Sequence, residues 1–303
     1  MLDFLRQEGI DESIIGRIEE FRRLYPVASD DEYRVSVPGY HYYGTDIWNK
    51  ALTALLAGEN ILLVGPKATG KNVLAENLSA VFRRPEWNIS FYLNTDASSL
   101  IGTDTFKDGA VVFRQGPIYK CAVNGGFGIL DEINMAKNES LAVLHATLDF
   151  RRIIDVPGYD RIELSPCTRF IATMNYGYAG TRELNEALAS RFMVINMPII
   201  SRENLEKLLK SQFSNLKEEY ARLFAELFED IRKKCDSSEI STKALDLRGL
   251  ISSVSLVANG LSIGQALELG IINKSFDDFE RQLVTDIVST KISPKLIASD
   301  IFE

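Results

Sequence analysis

The chain has 303 residues, 46% hydrophobic and 25% charged, the usage of a globular protein large enough to build its core without disulfide or metal staples. Its 42 acidic and 34 basic residues leave a net charge of −8, which argues against wholesale coating of nucleic acid, a role that needs a basic excess. Three scattered cysteines (Cys121, Cys167, Cys235) read as reduced thiols, His41 and His145 are too few and far apart for a histidine-rich metal site, the acid-bearing start is no secretory signal, and the best apolar stretch, Ala51 to Val64, is broken by Glu59 and Asn60; these features point to a cytoplasmic protein that crosses no membrane.

Residues 1–40 read as a helical extension, with Ile10, Ile14, Ile15, Ile18, Phe21 and Leu24 at helical spacing and Pro26 and Pro38-Gly39 as punctuation. Trp48 to Ala57 reads as a helix and Asn60 to Val64 as a short strand. Next comes Gly65-Pro66-Lys67-Ala68-Thr69-Gly70-Lys71-Asn72, a match to G-x-x-x-x-G-K. Two glycines let successive backbone N–H groups face an anion, and the helix that follows, Asn72 to Phe82, points its positive end at the same place. Lys71 would reach the β- and γ-phosphates of a bound nucleotide. Asn72 stands where a hydroxyl usually meets Mg²⁺; its amide oxygen is a neutral, longer substitute. A protein that binds nucleotide but turns it over weakly is the reading that this departure keeps open.

Ile89 to Leu93, Phe127 to Leu130, Phe170 to Met174 and Phe192 to Met197 are further strands. All are short and continuously apolar, as expected for strands buried on both faces of a parallel sheet. With helices between them they predict a doubly wound α/β domain over residues 41–199. Phe106 to Phe113, with Gly109 between, reads as a hairpin; so does Ile153 to Leu164, with Pro157-Gly158 at its tip.

The third strand ends in Asp131-Glu132. Asp131 can hold a metal through water, and Glu132 can orient and deprotonate an attacking water. Asn175 ends the next strand; it fits either a water-positioning amide or a turn residue before Tyr176-Gly177. Arg191 ends the short stretch Glu186-Ala-Leu-Ala-Ser, where it fits either a finger reaching the nucleotide of a neighbouring subunit or a cation complementing a helix dipole. After Pro198 the strands stop. Ser201 to Phe213, Lys217 to Cys235, Thr242 to Val257 and Ser275 to Lys291 read as helices of a C-terminal lid over residues 200–303, with Ser275 and Asp278 as a capping box on the last.

Taken in order, Gly65-Pro-Lys-Ala-Thr-Gly-Lys71, Leu130-Asp-Glu-Ile-Asn134, Ala172-Thr-Met-Asn175 and Ala189-Ser-Arg-Phe192 resemble the MoxR-like, dynein-related branch of the AAA+ ATPases. The resemblance covers roughly residues 40–290. It implies Asp131 and Glu132 as Walker B, Asn175 as sensor 1, Arg191 as arginine finger, and a sensor 2 base in the lid. Arg248 is preferred over Lys243 for the last, because a guanidinium grips phosphate bidentately. It also implies ATP and Mg²⁺ as cofactors, with Asn72 and Asp131 on the metal, and a homo-oligomeric ring, a hexamer. The hairpin from Phe106 to Phe113 would be a partner-contact loop. The client would be a protein, in this branch often one with a von Willebrand factor A domain, and the function its remodelling or maturation. A nucleotide-gated binding module and a nucleic-acid motor are the rival readings.

Overall fold

The structure is a computed structural model that describes residues 1–156, 158–176 and 182–303; Pro157, read above at a hairpin tip, and Gly177, which follows the candidate turn at Asn175, lie outside the described residues. The chain forms two compact units, residues 1–198 and 199–303.

In the first unit, α1 (Leu2–Gln7), α2 (Glu12–Leu24) and α3 (Thr45–Leu56) precede β1 (Ile61–Val64). Then follow α4 (Lys71–Phe82), β2 (Glu86–Ser90), α5 (Ala97–Leu100), and a hairpin of β3 (Gly102–Lys107) and β4 (Ala110–Gln115). Next are α6 (Pro117–Val123), β5 (Phe127–Asp131), α7 (Asn138–Leu141) and α8 (His145–Leu148). A two-residue pair, β6 (Ile153–Ile154) and β7 (Ile162–Glu163), leads to β8 (Arg169–Met174), α9 (Glu186–Ala189) and β9 (Met193–Asn196).

Five strands form one sheet in the order β2-β5-β8-β1-β9, and every pairing in it is parallel. Side chains of a strand alternate between faces, and both faces here are apolar. Ile61, Leu63, Phe127, Ile129 and Ile171 face a core that includes Trp48, Leu52, Leu74, Leu78 and Phe82 from α3 and α4. Leu62, Val64, Leu130, Phe170 and Ala172 face the other core, with Ile118, Leu141 and Leu144. Two-sided burial is why these strands read as unbroken apolar runs. The first 40 residues, set apart in the sequence, share the first of these cores: Leu5, Ile15 and Ile18 are fully buried in it.

The second strand lies three residues earlier than its apolar run suggests. Pairing with β5 sets Glu86 opposite Phe127 and Ser90 opposite Asp131, so the strand uses Trp87 and Ile89, and Tyr92 and Leu93 end up exposed. The hairpin around Gly109 is a tight one: Lys107 pairs with Ala110, and Asp108 and Gly109 take φ of 52° and 83°. Two positive φ values in a two-residue loop match the twist of the flanking strands.

The second unit contains α10 (Arg202–Gln212), α11 (Glu218–Asp236), α12 (Leu247–Ala258), α13 (Ile263–Gly270), α14 (Asp278–Lys291) and α15 (Ala298–Ile301). Phe224, Leu227, Phe228 and Ile231 form the buried stripe of α11. Two local readings need correction. The helix expected from Thr242 starts at Leu247, because the Asp246 carboxylate caps it by accepting from the Gly249 N–H at 3.0 Å; Lys243 is therefore off the helix. The capping box expected on α14 from Ser275 and Asp278 is absent: Asp277 accepts from the Glu280 N–H at 2.9 Å, and among the described residues the buried Ser275 hydroxyl has no partner. No helix of the described residues is long and apolar enough to cross a membrane.

Candidate functional site

Parallel strands bring their carboxyl ends to one edge, where loops from neighbouring strands meet. The loop after β1 begins at Gly65, whose N–H donates to the Met174 carbonyl at 3.2 Å. A Cβ on Gly65 would stand 2.8 Å from the Met197 carbonyl oxygen, so only glycine fits. Further on, Ala68 and Gly70 take φ of 63° and 74°. Left-handed residues interleaved with ordinary ones turn consecutive N–H groups toward one concavity, an anion-binding arrangement. Helix α4 then starts at Lys71, twelve residues long, with its free N–H groups and positive dipole end at the loop. Pro66, Lys67 and Thr69 complete the turn; the Thr69 hydroxyl donates to the Pro66 carbonyl at 3.1 Å.

Lys71 is buried, at 7% exposure. Its ammonium donates to the Gly65 carbonyl at 2.9 Å, the Pro66 carbonyl at 2.7 Å and the Thr69 hydroxyl at 3.2 Å. Burial pulls its pKa down to about 8, opposed by the nearby carboxylates of Asp131 and Glu132. The same group thus feels the acid pair at the end of β5.

That pair is held by the neighbouring strand. One oxygen of Asp131 accepts from the Thr173 hydroxyl at 2.6 Å, and the other from the Asn72 amide at 3.0 Å. Glu132 adopts a left-handed φ of 54°. Its N–H donates to the Thr173 hydroxyl at 3.0 Å, and its carboxylate accepts from the Asn175 amide at 3.0 Å. Lys71, Asn72, Asp131, Glu132 and Asn175 therefore meet at one place. Thr173, fully buried, was not singled out from the sequence, although it binds both acids; the signal was a lone hydroxyl in an apolar strand, two residues before Asn175.

The donor set at Asp131 suits a hard divalent cation: a carboxylate, plus an amide whose N–H₂ already serves Asp131 and whose oxygen is the remaining ligand atom.

Arg191 is bonded elsewhere in its own chain. Its guanidinium donates to the His145 carbonyl at 3.0 Å, to the Ala187 carbonyl, and to the Asp149 carboxylate at 3.3 Å. Asp149, bonded chiefly by Arg151, has its pKa lowered to about 2. Among the described residues no bond joins Arg191 to Lys71, Asp131, Glu132 or Asn175. Arg248 is exposed in the first turn of α12, in the second unit, and the Lys243 ammonium there sits 5.6 Å from the Phe276 ring centre.

Residues 60–192 match the AAA domain, dynein-related subfamily. The uncharacterized protein YojN of Bacillus subtilis is 34% identical over 270 residues, spanning 88% of each chain. The uncharacterized protein SAB1265c of Staphylococcus aureus is 34% identical over 256 residues, 82% of this chain and 97% of its own. Among solved structures, a mutant of RuvB from Thermotoga maritima shares the fold, with a TM-score of 0.52 at 16% identity over 81% of this chain and 76% of that one. The chain thus belongs to the same family as YojN, and its residues 60–192 match the AAA domain of the dynein-related subfamily.

Proposed function

We propose that this protein is a MoxR-like ATPase that hydrolyses ATP at the interfaces of a homomeric ring, a hexamer, in the cytoplasm, and uses the cycle to remodel or mature a protein client. The observation that carries the reading is the meeting of Lys71 with the Asp131–Glu132 pair at the carboxyl ends of β1, β5 and β8. The loop from Gly65 to Lys71 surrounds the phosphates with N–H donors, and the Lys71 ammonium, released from its loop carbonyls, moves onto the β- and γ-phosphate oxygens. Asp131 and Asn72 are the residues that would hold Mg²⁺, whose charge would help neutralise the phosphate oxygens. Glu132 accepts the proton of the attacking water, and the Asn175 amide fixes the rotamer of that carboxylate. Arg191 would serve the nucleotide of the next subunit after leaving Asp149. In the lid, Arg248 is preferred as the phosphate-sensing base, since Lys243 is off the helix.

The client is a protein, and a von Willebrand factor A domain partner is the favoured kind, on the family resemblance. The test is Glu132→Gln with phosphate release and ATP binding measured side by side. ATP binding should stay within about twofold, while turnover falls by roughly 10²- to 10⁴-fold, the usual contribution of a general base. Turnover at the parent rate would remove Glu132 from this role, and a parent that releases no phosphate would remove the hydrolytic reading. The arrested variant is also the bait for the client.

A further inference from the structure

Asn134 lies two residues beyond Glu132, in the short turn Ile133–Met135. It is 2% exposed, and its side chain does not touch Glu132 through any bond among the described residues. Instead its amide N–H₂ donates to two backbone carbonyls, of Asn175 at 2.9 Å and of Arg182 at 3.2 Å. Among the described residues the buried Asn134 side-chain oxygen has no hydrogen-bond partner. A buried acceptor left unpaired destabilises the fold, so stability alone does not explain an amide here; a natively unsatisfied group calls for a functional reason. The two carbonyls it binds supply one. The first belongs to Asn175, whose own side chain holds the Glu132 carboxylate. The second begins the stretch that enters α9, capped by Asn185, and α9 leads directly to Arg191.

We infer that Asn134 is a positioning residue: it registers the Asn175 main chain, and the segment from Arg182 toward Arg191, against the turn that carries Glu132. It acts through Asn175, and the inference rests on the hydrolytic reading of this site. Fixing the Asn175 carbonyl fixes where the Asn175 amide can reach, and so the aim of the general base. Misplacement at this distance from the chemistry costs rate more than binding. The second bond makes the path to Arg191 start from the same amide, so a shift of the Glu132 turn is felt on both sides.

Asn134→Leu removes both donors and the unpaired acceptor while keeping the number and branching of the side-chain heavy atoms. The expected result is a fall in kcat of on the order of tenfold or more, with KM and ATP affinity within about twofold. In an Asn175→Ala background the same substitution should cost nothing further, because residues acting as one unit are not additive. Multiplicative losses in the double variant, or a loss of ATP affinity equal to the loss of rate, would overturn the inference. Asn134→Ser, which keeps one donor, serves if the leucine variant does not fold, and should fall between parent and Asn134→Leu. Should the parent release no phosphate, the hydrolytic reading fails on its own. Exchange of the Asn175 side-chain amide, which donates to Glu132, then still decides the positioning role: faster exchange in the variant supports it, and unchanged exchange overturns it.

Discussion

Lys71 is a buried ammonium whose three bonds all go to its own loop. Burial disfavours its charge, and its pKa falls from 10.5 to about 8. An anion in the loop restores the charged form, so ATP binding takes up a proton wherever the free ammonium is partly deprotonated. ATP affinity should be flat below pH 8 and fall above it, by up to about tenfold per pH unit. Calorimetry in buffers of different ionisation enthalpy should show proton uptake near zero at pH 7 and substantial at pH 9; uptake independent of pH would contradict the burial argument. Folding has its own sign. Between the two pKa values the unfolded chain holds the proton and the native chain does not, so stability rises with pH across that window. The bonds that Thr173 makes to Asp131 and Glu132 come from the neighbouring strand, and this residue, central to both, is marked in the chain only as a hydroxyl in an apolar run.

Elements were legible where one period dominated. The strands β1, β5 and β8 are apolar runs because both of their faces are covered, and Gly109 between Phe106 and Phe113 marks the hairpin. Boundaries were less legible where several capping side chains competed. Asp277 and Asp278 are adjacent, and only the backbone path makes Asp277 the cap of α14. Asp277→Ala should cost about 1 kcal/mol. Asp278→Ala should cost less than half of that, because its carboxylate is 94% exposed and its ion pair with Arg281, one turn on, is a surface one. Urea unfolding of the full chain, followed by helical circular dichroism, separates the two. Equal losses would show that the Asp277 bond does not set the start of the helix.

At the scale of the whole molecule, Arg191 is the residue whose proposed role needs a second copy. Its guanidinium rests on Asp149, His145 and Ala187 of its own chain. Arg191→Ala should keep ATP binding and lose on the order of 10³-fold in turnover, the scale of an arginine finger. Mixed with Lys71→Ala, also inactive, it should regain turnover, because an intact Arg191 from one subunit then meets an intact Lys71 site on another. Mixtures no more active than the two variants apart would show that the arginine works within its own chain. The order of motifs from Gly65 to Phe192, and the switch from strands to helices after Pro198, are properties of the chain read end to end, since glycine spacing, apolar period and strand-ending acids each act over a few residues. That Thr173 and Asn175 hold Asp131 and Glu132, that Asn72 donates to Asp131, and that Arg191 rests on Asp149 are contacts across some forty to sixty positions. They exist only once the strands have set their register and the helices have packed against them, and no local pattern encodes that arrangement.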